Sequence, residues 1–285
     1  MYTEWFKLKK LPFRLRPDPD FLYLGGGQAH VHSALRAAAG ESHGLVTLVG
    51  ETGVGKTTLL HALAQEHRGS IAVGRLQQPG LTPQEMLASL AEQFHLNVQD
   101  MGSELATRLA RFVAEESGQG RQVLVLVDEA HRCPANTLRE LMVLAARKPA
   151  PVVVLAGEPE LLTALAGLEG QGVPRQTVAA LELPRLEAGQ ILEYLHYRLQ
   201  VAGKAGEDTF DPESTTEILR YTGGTPQLIN MLADSAMALA ETRSSQRVGL
   251  SEIRDAVHQL KWVEFAARTN GATPAGPRIT VSPRK

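Results

Sequence analysis

Residues 45–60 read LVTLVGETGVGKTTLL, a stretch that passes from an apolar run through a glycine-rich turn into a helical pattern. Leu45–Val49 is short, apolar and ended by Gly50, which reads as a buried strand, and Thr57–His67 reads as a helix. Between them GETGVGKT, residues 50–57, carries the full G-x-x-x-x-G-K-[ST] spacing. Gly50, Gly53 and Gly55 allow the main chain to fold into a concave ring of N–H donors. That ring and the positive end of the helix dipole suit a polyphosphate. The candidate nucleotide-binding residues are therefore Gly50, Glu51, Thr52, Gly53, Val54, Gly55, Lys56, Thr57 and Thr58. Lys56 is expected to reach the β- and γ-phosphates of ATP, and Thr57 to give its hydroxyl to Mg²⁺.

A triphosphate held with a metal calls for an acid on a second strand. Residues 123–131, VLVLVDEAH, carry Asp128 and Glu129 out on five apolar residues, and so to the carboxyl end of a buried strand. Asp128 is the candidate for the Mg²⁺ shell, through water, and Glu129 for polarising the attacking water. Two adjacent carboxylates repel unless a cation stands near them. The letters DEAH also occur in helicases, but the chain is short for two recombinase-like lobes and its second half is helical.

Outward from these motifs the chain alternates. Helical patterns cover Gln28–Ala39, Thr57–His67, Pro83–His95, Ser103–Glu116, Ala135–Arg147 and Glu160–Ala166. Strands are expected at Leu45–Val49, Ile71–Leu76, Val123–Val127, Val152–Ala156 and Thr177–Leu183. Thr82 and Glu85 form a capping-box pair ahead of the third helix. Strands separated by helices predict an α/β fold, a three-layer αβα core around a five-stranded parallel sheet. After Pro184 come four helical patterns, Glu187–Val201, Pro212–Tyr221, Pro226–Ala240 and Ser251–Trp262, which predict a smaller all-helical subdomain. The expected division is an arm at 1–27, a nucleotide-binding core at 28–184, a helical lid at 185–262 and a flexible tail at 263–285. The arm is rich in Pro and aromatics, too apolar to be free, and is expected to pack on the domain.

Composition excludes several classes. At 285 residues the chain has room for about two domains. Lys+Arg 29 against Asp+Glu 31 gives a net charge of −2, which argues against a grossly basic nucleic-acid binder. A single cysteine, Cys133, excludes an internal disulfide framework and fits a reducing compartment. No apolar run approaches the ~20 residues that cross a bilayer, and MYTEWFKLKK is not expected to be a secretory signal. A cytoplasmic, non-disulfide protein is expected.

With these residues placed, the chain resembles the AAA+ ATPases, and more narrowly the ExeA/GspA-type ATPases of bacterial secretion and the MshM-type ATPases of MSHA pilus biogenesis. The resemblance runs over about residues 1–262, through MYTEWFKL (1–8), PDPDFLYL (17–24), LQQPGLTPQEMLASLAEQFHL (76–96), VLVDEAH (125–131), LAGEPELL (155–162), ILEYLHYRLQVAG (191–203) and GGTPQLIN (223–230). It implies a P-loop NTPase with a helical lid, ATP and Mg²⁺ as ligands, and assembly of copies with ATP into a ring, six being one candidate number. It implies slow ATP hydrolysis that drives or switches assembly of an envelope machine, either type II secretion or a related pilus. Recruitment to the inner membrane through a partner protein is expected, since this sequence carries no span of its own. The alternative is an ATP-dependent DNA-binding regulator like the transposition ATPases that resemble this family.

Three positions depart from the family or need a role. Glu158, in Gly157-Glu158-Pro159-Glu160-Leu161, stands where the family usually has Gln, at the γ-phosphate sensor; it reads equally as an acid in the first turn of the next helix. Gln227, in Gly224-Thr225-Pro226-Gln227, stands where the family usually has a sensor arginine, and brings efficient hydrolysis into question more than binding. Arg175, in GVPRQTV, lies where the family places an arginine near the subunit boundary and is the candidate finger, with Arg198 as competitor. The nine histidines suggest no metal site, Cys133 reads as a small half-buried residue, and Leu138, Leu141 and Leu144 read as core.

Overall fold

The computed structural model describes residues 1–40, 44–67, 69, 71–78, 80–96, 104–173, 177–204, 209–264 and 279–281. They fall into two compact units. One holds the described parts of Met1–Ala29, Gly53–Thr58 and Pro184–Gly276; the other holds those of His30–Thr52, Leu59–Leu183 and Pro277–Lys285.

The second unit is built on a sheet whose strands are β1 (Gly44–Val49), β2 (Ala72–Leu76), β3 (Val123–Val127), β4 (Val152–Gly157), β5 (Thr177–Glu182) and β6 (Ile279–Val281). Their order across the sheet is β2-β3-β4-β1-β5-β6. The first five run parallel. In β1, β3 and β4 every residue is buried, so the sequence does not alternate and both faces are covered. β6 pairs antiparallel with β5, so a strand stands within the tail that composition marked as loose. Helices α2 (Gly27–Ala39), α3 (Lys56–Glu66), α4 (Pro83–Gln93), α5 (Leu105–Gly118), α6 (Ala135–Ala146) and α7 (Glu160–Glu169) alternate with the strands. Ser103, the expected start of α5, lies outside the described residues. Leu138, Leu141 and Leu144 are buried in the core, as is Leu155 of β4.

The expected capping box is formed: the Glu85 N–H donates to Thr82 Oγ1 (3.3 Å), and the Thr82 N–H to Glu85 Oε2 (2.8 Å). The Thr82 N–H and the Thr82 hydroxyl, which also donates to Glu85 Oε2 (2.8 Å), favour the charged carboxylate and hold Glu85 below its ordinary pKa. Thr82→Ala is expected to lower unfolding stability by about 1 kcal/mol, read from the urea midpoint at unchanged slope.

The first unit is helical: α8 (Ala188–Val201), α9 (Ser214–Thr222), α10 (Pro226–Thr242) and α11 (Leu250–Gln259), with the short α1 (Tyr2–Trp5) added by the arm. The arm packs here. Phe6 and Phe13 are each 2% exposed, and Phe13 meets Phe210 edge to face at 5.8 Å. Trp5 donates its indole N–H to the Ser245 carbonyl (2.7 Å), so it packs rather than waiting for a base to stack on. Arg198 is buried at 7% exposure. Its Nε donates to the Pro12 carbonyl (2.6 Å), Nη1 donates to the Tyr194 hydroxyl (3.1 Å), and the guanidinium lies 4.7 Å from the Phe21 ring centre. That removes Arg198 as a competitor for the finger: a buried cation needs these partners, and its work is to clamp the arm. Among the described residues no helix is long and apolar enough to cross a membrane.

Candidate functional site

β1 ends at Val49, and Gly50 begins the loop with its N–H donated to the Gly157 carbonyl at the end of β4 (3.2 Å). Glu51 and Thr52 are exposed, and Val54 is only 3% exposed. Gly53 and Gly55 have φ of +82° and +108°, the left-handed region in which a side chain is strained. Within 4 Å of the position a Cβ would take on Gly55 there is no atom, which leaves the concave side open. Lys56 opens α3 and is only 5% exposed; Thr57 and Thr58 are half-buried. An open cradle lined by main chain, with a buried ammonium at a helix N-terminus, fits a polyphosphate.

Gly53 is also the seat of Gln227, whose backbone N–H donates to the Gly53 carbonyl (3.1 Å). A Cβ on Gly53 would stand 2.6 Å from Gln227 Oε1. The residue at the position of the family's lid arginine therefore lies against the loop, but as a neutral amide.

At the end of β3 the Asp128 N–H donates to the Leu76 carbonyl of β2 (2.9 Å), and Asp128 Oδ1 accepts the Glu129 N–H (3.0 Å). Both acids are half-buried. Glu129 has φ of 52°, a left-handed conformation that non-glycine residues adopt at an energetic cost and that concentrates at functional sites. The 3-10 turn Ala130–Arg132 follows and carries His131 back against the end of β4. Glu158, just past β4, accepts the Thr52 hydroxyl on Oε1 (2.6 Å). It therefore touches the loop that follows β1. Burial, and next to it Arg75, push the pKa of His61 on α3 down, against the pull of Asp128.

The sequence singled out Asp128 and Glu129 and did not single out His131, which the structure sets beside Glu129. The three donors of Glu129, His131 and Glu158 lie within 4.8 Å of one another. Their spacing in sequence carries no pattern, and only the adjacency of β3 and β4 brings them together. Arg175, the candidate finger, lies outside the described residues. Cys133 is half-buried, and burial pushes the pKa of its thiol up.

Residues 39–165 match the family model described as an AAA domain. The chain is 30% identical over 288 residues to the General secretion pathway protein A of Aeromonas hydrophila, an alignment covering 99% of this chain and 52% of that protein. The chain thus spans about half the length of the curated relative it matches. Among solved structures the fold is similar to that of Aeropyrum pernix ORC1 in complex with DNA (TM-score 0.65, 20% identity, 89% of this chain and 70% of that one). It is also similar to the A. pernix ORC2 protein in ADPNP–ADP complexes (TM-score 0.63, 17% identity, 88% and 71%). Cdc6p of Pyrobaculum aerophilum gives a TM-score of 0.63 at 14% identity over 90% and 70%. At those identities the likeness is one of fold. With a parallel αβα sheet, a phosphate loop leaving its β1 strand, and an AAA domain matched at residues 39–165, the chain has the AAA+ P-loop fold, and along nearly its whole length it is similar to the general secretion pathway protein A.

Proposed function

We propose that the chain binds ATP with Mg²⁺ and hydrolyses it, using the cycle to drive or switch assembly of a bacterial envelope machine of the type II secretion or MSHA-pilus kind. The observation that carries this reading is the loop itself: two glycines in left-handed conformation, an open concave side, and Lys56 buried at the head of α3. Main-chain N–H groups of Gly53 to Thr58 bind phosphate oxygens, and Lys56 neutralises the β- and γ-phosphates. Thr57 and Asp128 hold Mg²⁺, which when bound neutralises charge on the transferring phosphoryl group. Glu129 orients and polarises the attacking water.

The remaining parts of the proposal rest on the family. The chain divides into arm (1–27), nucleotide-binding core (28–184), lid (185–262) and tail (263–285). Copies assemble with ATP into a ring, in which Arg175 reaches the nucleotide of the neighbouring copy. A partner protein of the envelope machine holds the ring at the inner membrane. Nucleotide complexes of the similar ORC2 protein and the 30% identity to a secretion protein support the reading.

A steady-state ATPase assay, with and without duplex DNA, together with the molecular size in ATP, tests it. Expected are turnover unaffected by DNA and a size that grows with ATP. Turnover that requires DNA and collapses steeply with salt would transfer the chain to the DNA-linked reading.

A further inference from the structure

His131 has no place in the roles above, yet its ring sits at the centre of the cluster. The Glu158 N–H donates to His131 Nδ1 (3.3 Å), which makes Nδ1 the acceptor and leaves the proton of the neutral ring on Nε2. Nε2 faces two carboxylates, Glu158 Oε1 at 3.6 Å and Glu129 Oε2 at 3.8 Å. These distances exceed a direct hydrogen bond, as contacts of a reaction site often do before substrate binds. Glu158 Oε1 is the same oxygen that accepts the Thr52 hydroxyl (2.6 Å). The close seat of the ring is allowed by Gly157, on which a Cβ would stand 3.0 Å from the His131 N and 3.2 Å from Nδ1. The left-handed backbone of Glu129 turns the chain so that residue 131 returns to β4.

The same three side chains could hold a metal ion by distance alone. The tautomer speaks against it. With Nδ1 accepting an N–H and Nε2 protonated, the ring offers no free lone pair to a metal unless it loses the backbone bond or its proton.

We propose that His131 is a positioning residue: through Nε2–H it holds the Glu129 carboxylate, and through Glu158 it links that carboxylate to Thr52 on the phosphate loop. This rests on the reading of the site as an ATPase. Occupation of the loop is then felt at Glu129 through Thr52, Glu158 and His131, so that the water-polarising acid is set only when the loop is filled. A carboxylate at 158, where the family usually has an amide, supplies the charged acceptor that the imidazole N–H faces.

The test combines kinetics with a direct view of the ring in the full chain. His131→Ala is expected to lower kcat roughly ten-fold or more, with Kd for a fluorescent ATP analogue within about two-fold. His131→Gln, whose amide N–H can replace Nε2–H, is expected to restore most of the rate. Combining His131→Ala with Thr52→Val should lose no more than His131→Ala alone, the signature of residues acting as one unit. Long-range ¹H–¹⁵N spectra should find the His131 ring protonated on Nε2, with that resonance displaced by Thr52→Val. A ring protonated on Nδ1, or a glutamine variant as slow as the alanine one, would overturn the proposal. A ring protonated on Nε2 and sensitive to Thr52, in a chain that takes up no nucleotide, would uphold the linkage and contradict the ATPase reading alone.

Discussion

Lys56→Ala is expected to weaken ATP binding by roughly a hundred-fold while leaving the fold intact. Lys56 is the first residue of α3 and is 5% exposed, so its ammonium acts where water screens it little. A hydrogen bond to a charged group contributes about 1.5–3 kcal/mol, and two phosphates share this one, so a hundred-fold change in Kd is the expected scale. The fold should survive, because Leu59, Leu60 and Leu63 of α3, each 3% exposed or less, remain buried in the core. Equilibrium titration with a fluorescent ATP analogue, beside a thermal melt of the same sample, checks both halves. Unaltered affinity at an unaltered melting temperature would remove Lys56 from the phosphate site.

The second large effect concerns turnover without binding. Glu129→Gln is expected to bind ATP within a few-fold of the parent and to hydrolyse it about a hundred-fold or more slowly, the range for removing a positioned general base. The glutamine keeps the size of the side chain, so the left-handed turn at φ 52° and the Asp128 Oδ1 contact with the residue-129 N–H both persist. Asp128, left in place, still serves the metal. A variant that turned over at the parental rate would remove Glu129 from its assigned role. A variant that lost binding and rate together would make it a binding residue instead.

Much of this molecule was legible because its central strands announce themselves. VLVLV and VVVLA are unbroken apolar runs and LVTLV is interrupted only by Thr47, and they became β3, β4 and β1, each buried along its whole length. The capping-box pair at Thr82 and Glu85 was readable for the same reason: the pattern is local and its partners are three residues apart. What sequence could not give is what depends on distant partners. Arg198 stood in sequence as a competitor for the finger, but its guanidinium is tied to the carbonyl of Pro12, 186 residues away in sequence. β6 is three residues long in a Pro/Gly-rich stretch, and only pairing with β5 makes it a strand. Glu158 could be read as sensor or as helix-start acid until Thr52 was found donating to it. His131 was one histidine of nine, and its neighbours Glu129 and Glu158 converge on it only because β3 and β4 lie side by side.

The most direct measurement is calorimetric titration of the purified protein with ATP in the presence of Mg²⁺. A saturable heat corresponding to one nucleotide per chain, lost on Lys56→Ala, is the expected result. A flat titration from a folded sample would mean that the loop between β1 and α3 does not hold triphosphate, and the functional reading built on it would fall.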